Sequence, residues 1–291
     1  MQNFLKNQKL QGIFYMTIAC FLASILVAMV RFLSGKFHSS FVVLMRNLFS
    51  VIFFLPLFVK DYKKILHTKK IGHHFLRGFN GTLTMSCWFY TIAVLPLQEA
   101  VSLSFLTPIL TILAGQLFLQ EKVNKYTYFA CFLSFFGVLV ILRPGFKSIS
   151  WFYLVPLVSV LLWVISNLVV KIMTKTEKPT TIVAYMSIFM LIFSLPLGLM
   201  HLQKISLLNL FWLAMLGLIS NLSHMYVAKA YSVSDLATVS PLDFTRLIFV
   251  SIIAYFVFHE NPDFYVFVGS AIILVAMILI SKKPKIINNF S

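Results

Sequence analysis

Residues 12–33 read GIFYMTIACFLASILVAMVRFL, and the only charge among them is Arg31, near the far end. A stretch of about 20 mostly apolar residues is long enough to cross the hydrocarbon core of a bilayer as a helix. Nine more such stretches follow, near 41–59, 74–95, 98–119, 125–143, 151–171, 181–200, 207–228, 236–258 and 264–281. They occupy most of the 291 residues, and 60% of the chain is hydrophobic against 11% charged. A soluble domain of this size has too little interior to hide so much apolar surface. The expected fold is therefore an all-α membrane protein with ten transmembrane helices.

The net charge of +16 fits this solvent. In a soluble protein it would point to nucleic acid. Here Lys and Arg gather in short loops, as they do on the cytoplasmic side of membrane proteins. With the N-terminus inside, 17 of the 24 cations fall on one side, from Lys6 and Lys9 through Arg77 to Lys285, and five on the other. Arg46 and Arg246 lie inside spans. The split predicts an inner-membrane protein with both termini cytoplasmic and no nucleic-acid partner. The run from Lys60 to His74 reads as a basic cytoplasmic loop held by anionic head groups, with His73 and His74 interfacial. Cys20, Cys87 and Cys131 fall within spans and show neither metal nor disulfide spacing. The first apolar run is too long for a signal peptide and lacks a small-residue cleavage site, so it reads as a retained helix.

The chain also repeats itself. The segment YTIAVLPLQEAVSLSFLTPILTILAGQLFLQEKVNKY, from Tyr90, aligns with KAYSVSDLATVSPLDFTRLIFVSIIAYFVFHENPDFY, from Lys229. An offset of 139 residues places Leu103 on Leu242, Phe105 on Phe244 and Glu121 on Glu260. The expected division is 1–147 and 148–291, five helices in each half. An odd number of crossings turns the second half over relative to the first. Inverted repeats around a midplane site are a mark of secondary transporters, because two similar halves facing opposite ways give two states of similar energy.

Residues Arg77 to Gly145 resemble the first repeat of the EamA-type branch of the drug/metabolite transporter superfamily. The likeness is carried by the Arg-Gly opening of the third span, MSCWFY at 85–90, LPLQEA at 95–100, Pro108 in mid-span, Glu121 at the end of the fourth span and the closing RPG. SPLDFTRLIFVSIIAYFVFHENPDFYVFVGSAIILVAMILI, from Ser240, fits the second repeat more loosely. The resemblance implies two inverted five-helix repeats around a central cavity. Within the family, the MSCWFY and LPLQEA wording is similar to bacterial importers of S-adenosylmethionine, and to riboflavin carriers and other members. It implies uptake of S-adenosylmethionine first, with amino acids, riboflavin or a nucleotide-like metabolite as alternatives.

Polar groups inside the membrane mark the candidate site, since a charge at mid-span costs about 2.5–3.5 kcal/mol on insertion scales. Asp243 and Arg246 are three residues apart and share a helix face. They form either a local ion pair or a site that holds a zwitterion, with Arg246 on an anionic group and Asp243 on a cationic group or a proton. Arg46 lies near the start of its span and either faces a cavity or snorkels to the interface. Asn167, Asn221 and His224 either join helices by hydrogen bonds or touch substrate, and His224 is also a candidate proton relay. Trp88 and Tyr90 belong either to the interfacial aromatic belt or to a stacking surface for a planar substrate. Glu99 is either interfacial or a protonatable cavity group, and Glu121 and Glu260 read as caps for the turns that follow them. The residues assigned to substrate binding are Arg46, Trp88, Tyr90, Asn167, His224, Asp243 and Arg246.

No phosphate-binding GxxxxGK[ST] loop, zinc-binding His-Glu motif, nucleophile elbow or dinucleotide glycine run is present. The chain therefore reads as a non-enzyme without cofactor, whose partners are a small polar metabolite and the lipid bilayer. A scaffold or sensor without transport is the competing class.

Overall fold

The computed structural model describes residues 8–65, 68, 70–94, 104, 106–121, 123–142, 154–258 and 264–281. Among them all regular structure is helical. Five helices form the first half: α1 (Gln8–Ser34), α2 (Ser39–Ile65), α3 (Ile71–Val94), α4 (Leu106–Leu119) and α5 (Lys125–Leu142). The second half contains α6 (Leu154–Met173), α7 (Pro179–Leu199), α8 (Leu207–Val233), α9 (Thr245–Phe258) and α10 (Phe264–Ser281). By length and composition six segments suffice to cross a membrane: Gln8–Ser34, Ser39–Pro56, Leu154–Met173, Pro179–Leu199, Leu207–Val233 and Leu236–Val257.

The last of these is not one helix. A single turn, Leu236–Val239, passes into a 3₁₀ segment, Ser240–Phe244, before α9 begins at Thr245. The continuous span expected over 236–258 is thus broken in its first third. Pro241 lacks an N–H and fixes its own φ, so it favours such a tight turn over an unbroken helix. Thr245 Oγ1 donates 2.7 Å to the Leu242 carbonyl and takes up part of the freed backbone.

The 139-residue offset carries helix ends onto helix ends. Leu106 and Leu119 map to Thr245 and Phe258, and Lys125 and Leu142 map to Phe264 and Ser281. Ser34 falls on Met173 and Val94 on Val233. The packing has the same two-fold plan. α1 lies along α8 as α6 lies along α3; α4 packs on α6 as α9 packs on α1; and α2·α7 and α5·α10 pair each helix with its own counterpart.

Two features differ from the sequence reading. The expected loop Lys60–His74 is mostly helix, because α2 runs on to Ile65 and α3 starts at Ile71. His74 is fully buried among other side chains: its Nε2 lies 2.8 Å from Glu177 Oε2, its ring stacks 4.3 Å from Tyr185, and Thr68 also hydrogen-bonds Glu177. At the opposite end of the bundle, His38 stacks on His201 at 3.7 Å, and Lys36 reaches Asn209 at 3.4 Å. All three cysteines are free. Glu99 and Glu260 lie outside the described residues.

Candidate functional site

The polar side chains placed in mid-bundle converge on a cavity of two connected lobes. Ala23, Arg77, Trp163, Ser223, His224 and Arg246 line both lobes and so form the junction. The first lobe adds Cys20, Thr107, Thr111, Asn167, Tyr231 and Asp243; the second adds Arg46, Gly81, Thr84, Trp88 and Ser220. Helices from both halves contribute to each lobe.

Arg246 stands in the first turn of α9, just past the helix break. Its Nη2 lies 3.5 Å from Asp243 Oδ2 and 3.4 Å from Ser104 Oγ, and its guanidinium sits over the Trp163 ring at 5.6 Å. The break aims both members of the pair into the first lobe, since a 3₁₀ turn and a new helix start bring residues three apart onto one side. The offset places Asp243 on Ser104 and Arg246 on Thr107, so corresponding positions of the halves meet at the centre of the molecule.

Arg46 is 1% exposed, which excludes snorkelling. Its guanidinium donates to Asn47 Oδ1 at 2.5 Å and to Ser220 Oγ. The Asn47 amide also donates to the Met190 carbonyl at 3.2 Å and to Ser194 Oγ at 3.1 Å, so it fixes the Arg46 head group. Trp88 is buried in the second lobe and meets Trp163 edge to face at 6.2 Å. Asn167 donates 3.2 Å to Thr111 Oγ1, tying α6 to α4 at the lobe wall. His224 borders both lobes. Tyr90 is separate: it is 42% exposed on the outer face of α3 and lines neither lobe. Asn221 joins helices instead, donating 2.8 Å to the Ser50 carbonyl and accepting from Ser187 at 3.2 Å.

Among the cavity residues that escaped the sequence reading, Arg77 and Trp163 stand at the border of both lobes. Arg77, counted there among the cytoplasmic cations, is 7% exposed and lines both lobes, and its Nε has no hydrogen-bond partner. α3 begins at Ile71, which puts Arg77 about 9 Å inside the helix at 1.5 Å per residue. Gly81, one turn further on, was the available signal. A Cβ there would stand 2.5 Å from Arg77 Nη1, so any larger residue would push the guanidinium from its present position. Trp163 sits in a largely apolar run, LVPLVSVLLWVISNLVV, flanked directly by Leu162 and Val164, and the one polar signal near it, Asn167 four residues on, was not connected to it.

Below the first lobe an ionic cluster, with Lys171 and Glu121 largely buried and Asp235 exposed, ties the halves together. Lys171, in the last turn of α6, donates to the carbonyls of Tyr231 at 3.0 Å and Ser234 at 2.6 Å. It also lies 3.7 Å from Glu121 and 3.8 Å from Asp235. Glu121 accepts from the Ala237 N–H at 3.4 Å, so it caps the other half's broken helix and not the turn that follows it. Burial raises the Glu121 carboxyl above the usual range, against the lowering pull of Lys171. Among the described residues no cluster of three His, Cys, Asp or Glu could hold a metal ion.

Residues 10–143 and 150–282 each match the EamA-like transporter family. A riboflavin transporter of Brucella anthropi is 29% identical over 240 residues, covering 80% of this chain and 84% of the relative. An S-adenosylmethionine uptake transporter of Rickettsia prowazekii is 27% identical over 276 residues, covering 95% and 94%. A crystal structure with 12% sequence identity superposes with a TM-score of 0.78 over 92% of this chain and 95% of that one, which is a likeness of fold.

Proposed function

The chain belongs to the EamA-like transporter family, and from that premise we propose that it is a secondary carrier moving a small polar metabolite with a planar ring by alternating access. It is a multi-pass membrane protein; the inner membrane with both termini cytoplasmic is the placement that the loop charges favour. The observation that carries the reading is the cavity itself. Arg77, Arg246 and His224 sit between two sets of five helices, and burying such groups in a lipid-embedded bundle costs several kcal/mol per ion unless a ligand or water meets them.

The ring preference rests on Trp88 and Trp163, whose faces and edges border the cavity beside Arg246. Riboflavin and S-adenosylmethionine, the cargoes in the relatives' names, share a flat heteroaromatic ring, and uptake of S-adenosylmethionine stays among the candidates. Ten crossings in two inverted halves suit the two-fold packing plan. α2·α7 and α5·α10, each pairing a helix with its own counterpart, would lie on the axis about which the halves exchange roles. Arg246 would hold an anionic group of the cargo, and Asp243 would hold Arg246 and take a cationic group or the coupling proton.

The test is uptake of radiolabelled cargo into proteoliposomes by Arg246→Ala. Saturable uptake by the parent should fall at least about 30-fold in the variant, the ~2 kcal/mol lower bound for truncating one partner of a buried charge pair. Unchanged uptake by a folded Arg246→Ala protein removes Arg246 from the site. Absence of saturable flux in the parent for any cargo of this class favours a scaffold or sensor.

A further inference from the structure

The charge inside the cavity does not balance. Arg246 has Asp243 beside it, and Asp243 is the single carboxylate among the described lining residues. Arg46 and Arg77 have no carboxylate partner among the described residues. Arg46 is met by the neutral groups of Asn47, Ser220 and Met190, and Arg77 Nε is met by nothing. Both line the second lobe, at 1% and 7% exposure, with Trp88 and Trp163 on the same wall.

A guanidinium keeps its charge in proteins and presents a planar fork of donors that fits two oxygens of a carboxylate or phosphate. Two buried guanidiniums without a carboxylate are costly to the empty protein, and a matching anion lowers that cost. A net cation adds to it. The sulfonium and ammonium groups of S-adenosylmethionine outnumber its single carboxylate, so this cargo meets repulsion in the second lobe.

We propose that the second lobe is an oxyanion site, in which Arg46 and Arg77 hold the phosphate of an aromatic phosphomonoester while its ring lies against Trp88 and Trp163. A phosphomonoester carries close to two negative charges at neutral pH, matching the two unpaired cations. Gly81 keeps the Arg77 head group in place by leaving it room. The inference rests on the carrier reading in taking this cavity as the cargo site, but binding can be measured without flux.

The experiment uses the full chain in nanodiscs, in phosphate-free buffer. Thermal stabilisation is titrated with matched probes: riboflavin against riboflavin 5′-phosphate, adenosine against adenosine 5′-monophosphate, and S-adenosylmethionine against S-adenosylhomocysteine. At least one phosphorylated member should act at a concentration about tenfold or more below its neutral partner, as charge-assisted hydrogen bonds require. S-adenosylmethionine should bind no better than S-adenosylhomocysteine. Arg77→Gln should abolish the preference for phosphate. Arg77→Lys should keep part of it, and Gly81→Ala, which pushes the guanidinium aside without removing its charge, should weaken it. Equal or tighter binding of both neutral members, or tighter binding of S-adenosylmethionine than of S-adenosylhomocysteine, overturns the inference, as does an undiminished preference in Arg77→Gln. So does stabilisation by none of the six. Flux separates the two readings. Saturable uptake with no preference for phosphate leaves the carrier standing and removes the oxyanion site. A phosphate preference without flux does the reverse.

Discussion

Helices α4 and α9 hold the same place in the two halves, to the residue at both ends, and carry different chemistry. Where α9 and the turn before it place Asp243 and Arg246, the first half has Ser104 and Thr107. Both neutral residues are buried, and Thr107 Oγ1 is unpartnered. The repeat thus preserves a frame, because helix length and packing face must match for both halves to share one bundle. It leaves the inward-facing polar positions free to diverge. At this pair of positions the charges lie in the second half alone, although the scaffold is two-fold.

The strongest way to break this comparison is to move the carboxylate across the axis. Arg246 Nη2 lies almost equally far from Asp243 Oδ2 and Ser104 Oγ, at 3.5 and 3.4 Å. Asp243→Ser should lower stability by about 3 kcal/mol, the low end for breaking a buried pair, and should remove uptake. Adding Ser104→Asp should recover most of the stability in denaturant titrations. If the double variant is no more stable than Asp243→Ser alone, the two positions are not interchangeable partners for Arg246.

The two ends of the bundle sharpen the same point. The offset places His38 on Glu177, yet His38 stacks on His201 in an exposed position while Glu177 holds buried His74. Glu177→Ala should therefore cost about 2 kcal/mol, as expected for a hydrogen bond to a charged group. His38→Ala should cost no more than about 0.5 kcal/mol, as expected of a surface change. Equal costs would mean that the ends are energetically alike despite their chemistry.

A smaller effect follows from Glu121, which faces Lys171 and Asp235. Its carboxyl titrates higher in the folded protein than in the unfolded chain. Between those two values the folded state holds more protons, so stability declines as pH rises. Melting temperature should therefore fall more steeply with rising pH above about 4.5 in the parent than in Glu121→Gln; parallel curves would remove Glu121 as a source. The smallest change is expected of Tyr90→Phe, which lies outside both lobes and should leave uptake within twofold, about 0.4 kcal/mol.

Much of the frame was legible along the chain. Apolar runs mark where helices lie, and the offset aligned α4 and α5 with α9 and α10 because equal crossings need equal lengths. Arg46, Asp243 and Arg246 stood out because a charge within an apolar run needs a partner or a cavity. The rest was hidden for identifiable reasons. Arg77 precedes a long apolar run, so counting loop charges sent it to the cytoplasm, although α3 had already started at Ile71. Trp163 is apolar among apolar residues. The burial of His74 was hidden because its partner Glu177 lies 103 residues away.

Local sequence was enough for the membrane class and the internal repeat, since hydropathy and length act within a single segment. The face that each helix turns inward depends on neighbours far along the chain. Only the packed bundle shows that Arg77 and Trp163 border the cavity while Tyr90 faces away, because half a turn about a helix axis separates an outward-facing position from a cavity-facing one.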